Sequence, residues 1–214
     1  MKDPYLYPNS ETLKNLFNET DEVKFNTIEA DYTSLRIKEL LDNPIVGEFD
    51  FRHLLEIHKY IFQDIFDWAG TPREINIEKA EEAEEALSGL SIEYTDVFDI
   101  TNQAKAILVK MNSVVWSGLD SKQTATIFAE HMTNIWKIHP FREGNTRTII
   151  TFCCDFAEEH GFPFDRELFK DNSAYVRRAL VASSAVFSAL GDKRKPEFLI
   201  DFIHDAIKGG IEFN

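Results

Sequence analysis

Residues 139–147 read His-Pro-Phe-Arg-Glu-Gly-Asn-Thr-Arg, and they separate two segments with a helical pattern. Before them, apolar residues recur at helical spacing between Ile127 and Ile138, and Pro140 cannot continue that helix. After them, a second apolar face runs from Ile149 to Phe156. We therefore predict two helices joined by this nine-residue loop.

The loop carries side chains that suit a phosphorylated ligand. Gly144 allows a tight turn, which would leave the backbone N–H groups of Asn145, Thr146 and Arg147 pointing outward at the start of the second helix. Such a helix start binds anions, and the planar guanidinium of Arg147 can clamp phosphate oxygens. Glu143 offers the hard carboxylate oxygen that Mg²⁺ prefers, although an isolated glutamate is more often a solvated surface acid.

The loop also contains a candidate general base. His139 stands at a helix end, and an imidazole there can take a proton from a Tyr, Ser or Thr hydroxyl. Phe141 is apolar within a polar loop, so we predict that it is buried and anchors the loop. The remaining histidines are interpreted as structural, because their spacing does not match a zinc site.

The nine residues resemble the motif of the Fic family, His-x-Phe-x-(Asp/Glu)-Gly-Asn-Gly-Arg-x-x-Arg. The matching positions are His139, Phe141, Glu143, Gly144, Asn145 and Arg147. Two positions depart from the motif, since Thr146 replaces its last glycine and Ile150 replaces its second arginine. Residues 5–15 also resemble the start of the bacterial cell-filamentation type of this family, and residues 53–70 resemble the helix and turn that precede the family's flap hairpin. The similarity covers about residues 5–190.

The resemblance implies an all-α helical bundle with one small β-hairpin, the flap, beside the active-site loop. It implies a protein adenylyltransferase, which moves AMP from Mg-ATP to a Tyr, Ser or Thr hydroxyl of a target protein. In that scheme His139 is the base and Glu143 the Mg²⁺ ligand. The nucleotide would be held by the other motif positions, Phe141, Gly144, Asn145, Thr146 and Arg147.

The resemblance also implies partners. The target protein would be held along the flap as an added strand, and a separate antitoxin protein is a further candidate partner. The inhibitory sequence of the family, Ser/Thr-x-x-x-Glu followed by Gly or Asn, is absent, so we do not expect autoinhibition by that route.

The two departures leave other functions open. Ile150 cannot hold the terminal phosphates as the family's second arginine does, and the branched side chain of Thr146 is expected to narrow the nucleotide pocket. Phosphoryl transfer or another nucleotidyl transfer is one alternative. A non-catalytic module that binds a nucleotide or a partner is another.

The rest of the chain predicts helices with one hairpin. Asp21 and Asp50 are expected to cap helices, and the last helix is predicted at residues 197–207. Residues 73–78 and 91–98 show strand patterns and are assigned to the flap. We predict a single domain over residues 1–214, with its core in about residues 5–190.

Composition narrows the partners and the compartment. The net charge of −14 argues against nucleic acids and anionic membrane surfaces, and the 18 phenylalanines predict a Phe-rich core. No apolar run approaches the roughly 20 residues of a membrane span, and the polar residues 5–10 do not suit a signal peptide. The adjacent Cys153 and Cys154 are predicted to be reduced core residues, as expected in the cytoplasm.

Overall fold

The computed structural model describes residues 3–78 and 91–212, and over these ranges the chain is mainly helical. The helices are α1 Glu22–Asp42, α2 Phe51–Phe62, α3 Ile100–Asn112, α4 Ser121–Ile138, α5 Asn145–Glu159, α6 Arg166–Asp171, α7 Ser173–Ser184 and α8 Glu197–Glu212. The short strands β1 Val186–Phe187 and β2 Gly191–Asp192 pair antiparallel. Over the described residues, the predicted class, a helical bundle with one small hairpin, is confirmed.

The helix starts follow from local capping. The Asp21 side chain accepts a hydrogen bond from the N–H of Lys24, and the Asp50 side chain accepts one from the N–H of His53. Each bond satisfies a backbone donor that the first helical turn leaves unpaired. Both predicted starts are therefore confirmed. The last helix begins at Glu197 as predicted but runs to Glu212, five residues beyond the predicted end.

α4 lies at the centre of the bundle and contacts α3, α5, α7 and α8. The core around it is rich in phenylalanine, as predicted, and Phe128, Phe152 and Phe156 are completely buried. Burying one such side chain stabilises the fold by roughly 1.5–3 kcal/mol. The C-terminal end of α4, where the candidate loop begins, is therefore held by a well-packed scaffold.

The predicted helix–loop–helix unit is present, and each end of its loop has left-handed backbone. α4 ends at Ile138, and its C-cap His139 has φ 48° and ψ 60°. α5 begins at Asn145, and its N-cap Gly144 has φ 80°. Gly144 adopts this conformation without strain, whereas His139 must be held in it by its neighbours.

The position predicted for the hairpin is wrong within the described residues. Neither residues 73–78 nor residues 91–98 are paired as strands there, and residues 79–90 lie outside the described part of the chain. Side chains join the two segments instead. Asn76 Nδ2 donates to Asp96 Oδ2 at 2.8 Å, and Val97 N–H donates to Asn76 Oδ1 at 2.8 Å. These bonds take the place of a backbone ladder at this point.

The observed hairpin, β1–β2, lies beside the predicted flap. Ser188, between the two strands, donates its backbone N–H to the Glu93 carboxylate at 3.0 Å and its hydroxyl to the same group at 2.6 Å. Elsewhere, Cys153 and Cys154 are free and buried, as predicted. No helix within the described ranges is long and apolar enough to cross a membrane.

Candidate active site

His139 is the residue around which the site is built. Its imidazole stacks on the ring of Tyr94, with 4.0 Å between ring centroids, and packs edge-on against Trp136 at 5.2 Å. Only 3% of its surface is exposed. Nδ1 lies 3.3 Å from the carbonyl oxygen of Trp136, and because a carbonyl only accepts, Nδ1 carries the proton in this pair. The basic lone pair is then on Nε2.

Gly144 lets the loop pass directly over Phe62. A Cβ added at Gly144 would lie 2.2 Å from Phe62 Cζ, and Phe62 is completely buried. Thr148 is the first residue of α5 whose N–H bonds within the helix, to Gly144 O at 3.1 Å. The N–H groups of Asn145, Thr146 and Arg147 therefore form the helix start that can receive an anion.

Asn145 holds the loop closed rather than facing outward. Its side-chain oxygen accepts from Phe141 N–H at 2.9 Å, and its side-chain nitrogen donates to Phe141 O at 2.8 Å. Phe141 is completely buried and stacks on His58 at 3.7 Å. The structure places Phe141 beneath the loop, so this residue and Asn145 shape the site without lining its surface.

His58 supports the loop from α2. Its Nδ1 accepts from Gly70 N–H at 2.8 Å, so its Nε2 carries the proton and donates to Glu143 O at 3.1 Å. Burial lowers the pKa of His58 to about 3. A neutral His58 therefore bonds the backbone on one side of the loop, a role that its sequence position did not suggest.

Glu143 is the acidic group of the loop. One of its carboxylate oxygens accepts from the N–H of Gly144 at 2.9 Å. Within the described ranges there is no group of three or more His, Cys, Asp or Glu side chains that could hold a metal ion. A lone carboxylate suits Mg²⁺ bound together with substrate phosphates, because Mg²⁺ commonly takes one or two carboxylates and completes its shell with phosphate and water.

Arg147 is oriented by α1. Its Nη2 lies 2.5 Å from a carboxylate oxygen of Glu29, and its Nη1 donates to the hydroxyl of Thr33 at 2.9 Å. Its guanidinium carbon lies 4.9 Å from the centre of the Phe62 ring. Glu29 thus pairs with the arginine of the loop, although the chain lacks the family's inhibitory sequence, Ser/Thr-x-x-x-Glu followed by Gly or Asn. A phosphate at Arg147 would share the guanidinium with Glu29.

The two departures from the motif have structural partners. The Thr146 hydroxyl accepts from the indole N–H of Trp136 at 2.9 Å, and Trp136 is completely buried. This bond satisfies a donor that would otherwise be costly to bury. Ile150 is half-buried against the hydrophobic core. Arg142, which follows Phe141, pairs with Asp3 of the N-terminal arm at 2.8 Å.

Arg73 is another neighbour of the site whose role the sequence did not suggest. It is 2% exposed, and its Nε donates to His139 O at 2.8 Å. The only available signal was a cation within a segment of alternating polar and apolar residues, and that pattern also fits a surface strand.

Within this helical bundle, the imidazole of His139 and the carboxylate of Glu143 lie on one loop that leads into a helix start able to receive an anion. The family model described as Fic/DOC matches residues 48–157, which is half of the chain. The chain belongs to the Fic/DOC family, and the resemblance found in the motif is confirmed.

Curated relatives are similar over much of this chain. A protein adenylyltransferase, VbhT of Bartonella schoenbuchensis, is 29% identical over 211 residues, which is 97% of this chain and 42% of that protein. A probable protein adenylyltransferase of Sinorhizobium fredii is 28% identical over 77% of this chain and 80% of that protein. The chain thus spans less than half of the first of these relatives.

Solved structures share the fold. The N-terminal FIC domain of Bep8 from Bartonella sp. 1-1C aligns with a TM-score of 0.76 and 23% identity, over 94% of this chain and 93% of that one. BepC from Bartonella tribocorum, solved with bound AMPPNP, aligns with a TM-score of 0.76 and 20% identity, over 94% of this chain and 95% of that one. Because both structures are less than 25% identical to this chain, the similarity shows a shared fold and nothing further.

Proposed function

We propose that this protein is a protein adenylyltransferase that transfers AMP from ATP to a Tyr, Ser or Thr hydroxyl of a target protein. One observation carries the proposal: a single loop joins the imidazole of His139, at the end of α4, to the start of α5, whose N–H groups can receive an anion. Membership of the family and the names of the relatives support it.

The reaction follows from these groups. His139 Nε2 takes the proton of the target hydroxyl, and the hydroxyl oxygen bonds to the α-phosphorus of ATP. The bond from that phosphorus to the bridging oxygen of pyrophosphate breaks, and pyrophosphate leaves. The N–H groups at the start of α5 and the guanidinium of Arg147 stabilise the negative charge on the phosphates as it builds.

Glu143 would hold Mg²⁺ in this scheme. When bound with ATP, Mg²⁺ supplies positive charge that neutralises the phosphate oxygens. The hydrogen bond from Gly144 N–H to the Glu143 carboxylate orients that ligand before ATP arrives. Phe141 and Asn145 contribute by holding the loop, and Thr146 contributes its backbone N–H.

The groove between the two segments assigned to the flap, residues 73–78 and 91–98, is the proposed place for the target. A cavity of about 370 Å³ lies between residues 76–78 and 91–96, and Tyr94 in its wall stacks on His139. An extended segment of the target in this groove would bring its hydroxyl beside the base. A separate antitoxin as a further partner, and a cytoplasmic location, belong to the same proposal; two buried free cysteines suit a reducing compartment.

Labelled nucleotides test the function. The protein is incubated with cell lysate, Mg²⁺ and ATP labelled at either the α or the γ phosphorus. Transfer of the α label only supports the proposal, transfer of the γ label indicates phosphoryl transfer, and no transfer from any nucleotide indicates a binding module. His139→Ala should lower transfer about 10²–10⁴-fold, the usual cost of losing a general base.

The matched control for this test is His204→Ala. His204 lies on α8 and bonds the hydroxyl of Ser121 at the opposite end of α4 from the loop. This variant should transfer label at close to the wild-type rate. A His139→Ala protein that works within a few-fold of wild type would contradict the assignment of the base.

A further inference from the structure

Arg73 is a buried cation whose neighbours are mainly backbone carbonyls. Its Nε donates to His139 O at 2.8 Å, its Nη1 donates to Ile75 O at 2.6 Å, and its Nη2 donates to Thr95 O. Burial lowers the pKa of this guanidinium, because the charged form loses its hydration. A planar fork of N–H groups is needed to reach three carbonyls at once.

The backbone of His139 needs support from its surroundings. A left-handed conformation is unfavourable for a residue with a side chain, so neighbouring groups must hold it. The bonds at this turn include His139 N–H to Trp136 O at 3.1 Å, Arg73 Nε to His139 O at 2.8 Å, and Arg73 N–H to Pro140 O at 2.8 Å. Arg73 therefore supports the turn with both its side chain and its backbone.

The same side chain also fixes the surface that covers the imidazole. Thr95 lines the groove between residues 76–78 and 91–96, and Ile75 directly precedes Asn76, which also lines it. Thr95 follows Tyr94, whose ring stacks on His139 at 4.0 Å. The bond from Arg73 to Thr95 therefore positions Tyr94, while the bond to the His139 carbonyl positions the base beneath it.

We propose that Arg73 is a positioning residue, which sets the orientation of the His139 imidazole. It does so by bonding the backbone carbonyl of His139 and the carbonyls of Ile75 and Thr95, one in each segment assigned to the flap. The geometric part is independent of the activity of the protein. The catalytic part rests on the proposed function, since an imidazole displaced by about 1 Å is expected to lower the rate about 10²-fold.

Nuclear magnetic resonance tests the geometric part without any assay of activity. In the wild type, the stacked ring of Tyr94 should shift the Cε1–H resonance of His139 upfield; a His139→Gln spectrum assigns that signal. In Arg73→Met the signal should move towards the position of an unstacked histidine. The matched control is Arg166→Met, which removes a half-buried arginine that pairs with Asp155 and Glu158 and should leave the signal in place.

Kinetics test the catalytic part. Arg73→Met should lower kcat about 10²-fold while ATP affinity, measured by calorimetry, stays within about two-fold, because Asn145 and His58 hold the anion-binding loop through separate bonds. A variant that was only less stable would contain less folded protein, which thermal unfolding reports. It would not combine a lowered kcat with an unchanged ATP affinity. Arg166→Met should keep the wild-type kcat.

If Arg73→Met does not fold, Arg73→Lys tests the positioning role of Arg73 instead. Lysine retains the charge but cannot present a planar fork to three carbonyls, so a shifted His139 signal and a lowered kcat are again expected. An unchanged His139 signal in the folded variants would overturn the proposal, as would a wild-type kcat. If the wild type transfers no label, the proposed function fails, and the position of the His139 signal alone decides the role of Arg73.

Discussion

Replacing Gly144 by alanine should destabilise the protein because of both backbone strain and a steric clash. Gly144 has φ +80°, and its added Cβ would lie 2.2 Å from Phe62 Cζ. Phe62 is completely buried, so its ring cannot swing into solvent. Gly161 offers a matched control, since it has the same φ of +80° but no atom within 4 Å of its added Cβ.

The two alanine variants separate the two costs. Gly161→Ala carries only the left-handed strain, about 1–2 kcal/mol. Gly144→Ala carries this strain and the overpacking of a buried ring, typically another 1–3 kcal/mol, for a total of about 2–5 kcal/mol. The difference between the two variants therefore measures how rigidly Phe62 is held beneath the loop.

Urea unfolding, followed by circular dichroism at 222 nm, gives the free energy of unfolding for each variant. Because the same clash would displace the N–H groups at the start of α5, Gly144→Ala should also weaken ATP binding, whereas Gly161→Ala should not. Adding Phe62→Leu to Gly144→Ala should recover part of the loss as a coupling energy between the two sites. Equal destabilisation by the two alanines would refute the idea of a rigid contact between Gly144 and Phe62.

Three further predictions concern the metal, the terminal phosphate and acid stability. Glu143→Ala should weaken ATP binding with Mg²⁺ much more than without it, as measured by calorimetry. The control Glu159→Ala, at an exposed position, should leave ATP binding unchanged in both conditions. An unchanged Mg²⁺ dependence in Glu143→Ala would make Glu143 a surface acid. The affinities of the wild type for ATP and ADP should agree within about tenfold, which is ~1.4 kcal/mol. Ile150→Arg should favour ATP over ADP by a further ~1.5–3 kcal/mol, because its guanidinium can contact the terminal phosphate. A strong preference of the wild type for ATP would contradict this. The pKa of His58 falls from 6.5 to about 3 on folding, so the folded state binds fewer protons between these values and stability should fall as the pH drops from 6.5 towards 3. His58→Gln should flatten that dependence in urea unfolding, and an unchanged slope would assign it to other groups.

Sequence reasoning succeeded where a few adjacent residues decide the structure. Asp21 and Asp50 begin helices because a cap bonds an N–H only three residues away. The loop after Ile138 follows from Pro140 and Gly144, whose backbone preferences are properties of single residues. The burial of Phe141 could be predicted because an aromatic ring in a short polar loop has few other ways to leave water.

Sequence reasoning failed where the partner lies far along the chain. The alternation in residues 73–78 predicted a strand, but Asn76 bonds Asp96 and Val97, and the described hairpin is formed by residues 186–192. A period of two shows that alternate side chains are buried, and it does not show whether a neighbouring backbone supplies a ladder. The pattern alone could not distinguish these two cases.

The sequence by itself determined the helical class, the family and the chemical groups of the loop, because each depends on residue types at short, fixed spacing. Only the tertiary structure decided how those groups are held. Glu29 reaches Arg147 from α1, Trp136 takes up the hydroxyl of Thr146, and Arg73 bonds the carbonyl of His139. The contacts to Arg147 and His139 join residues 118 and 66 positions apart in the chain. These two contacts exist only once packing brings α1 onto α5 and residues 73–78 onto the end of α4, so no local pattern records them.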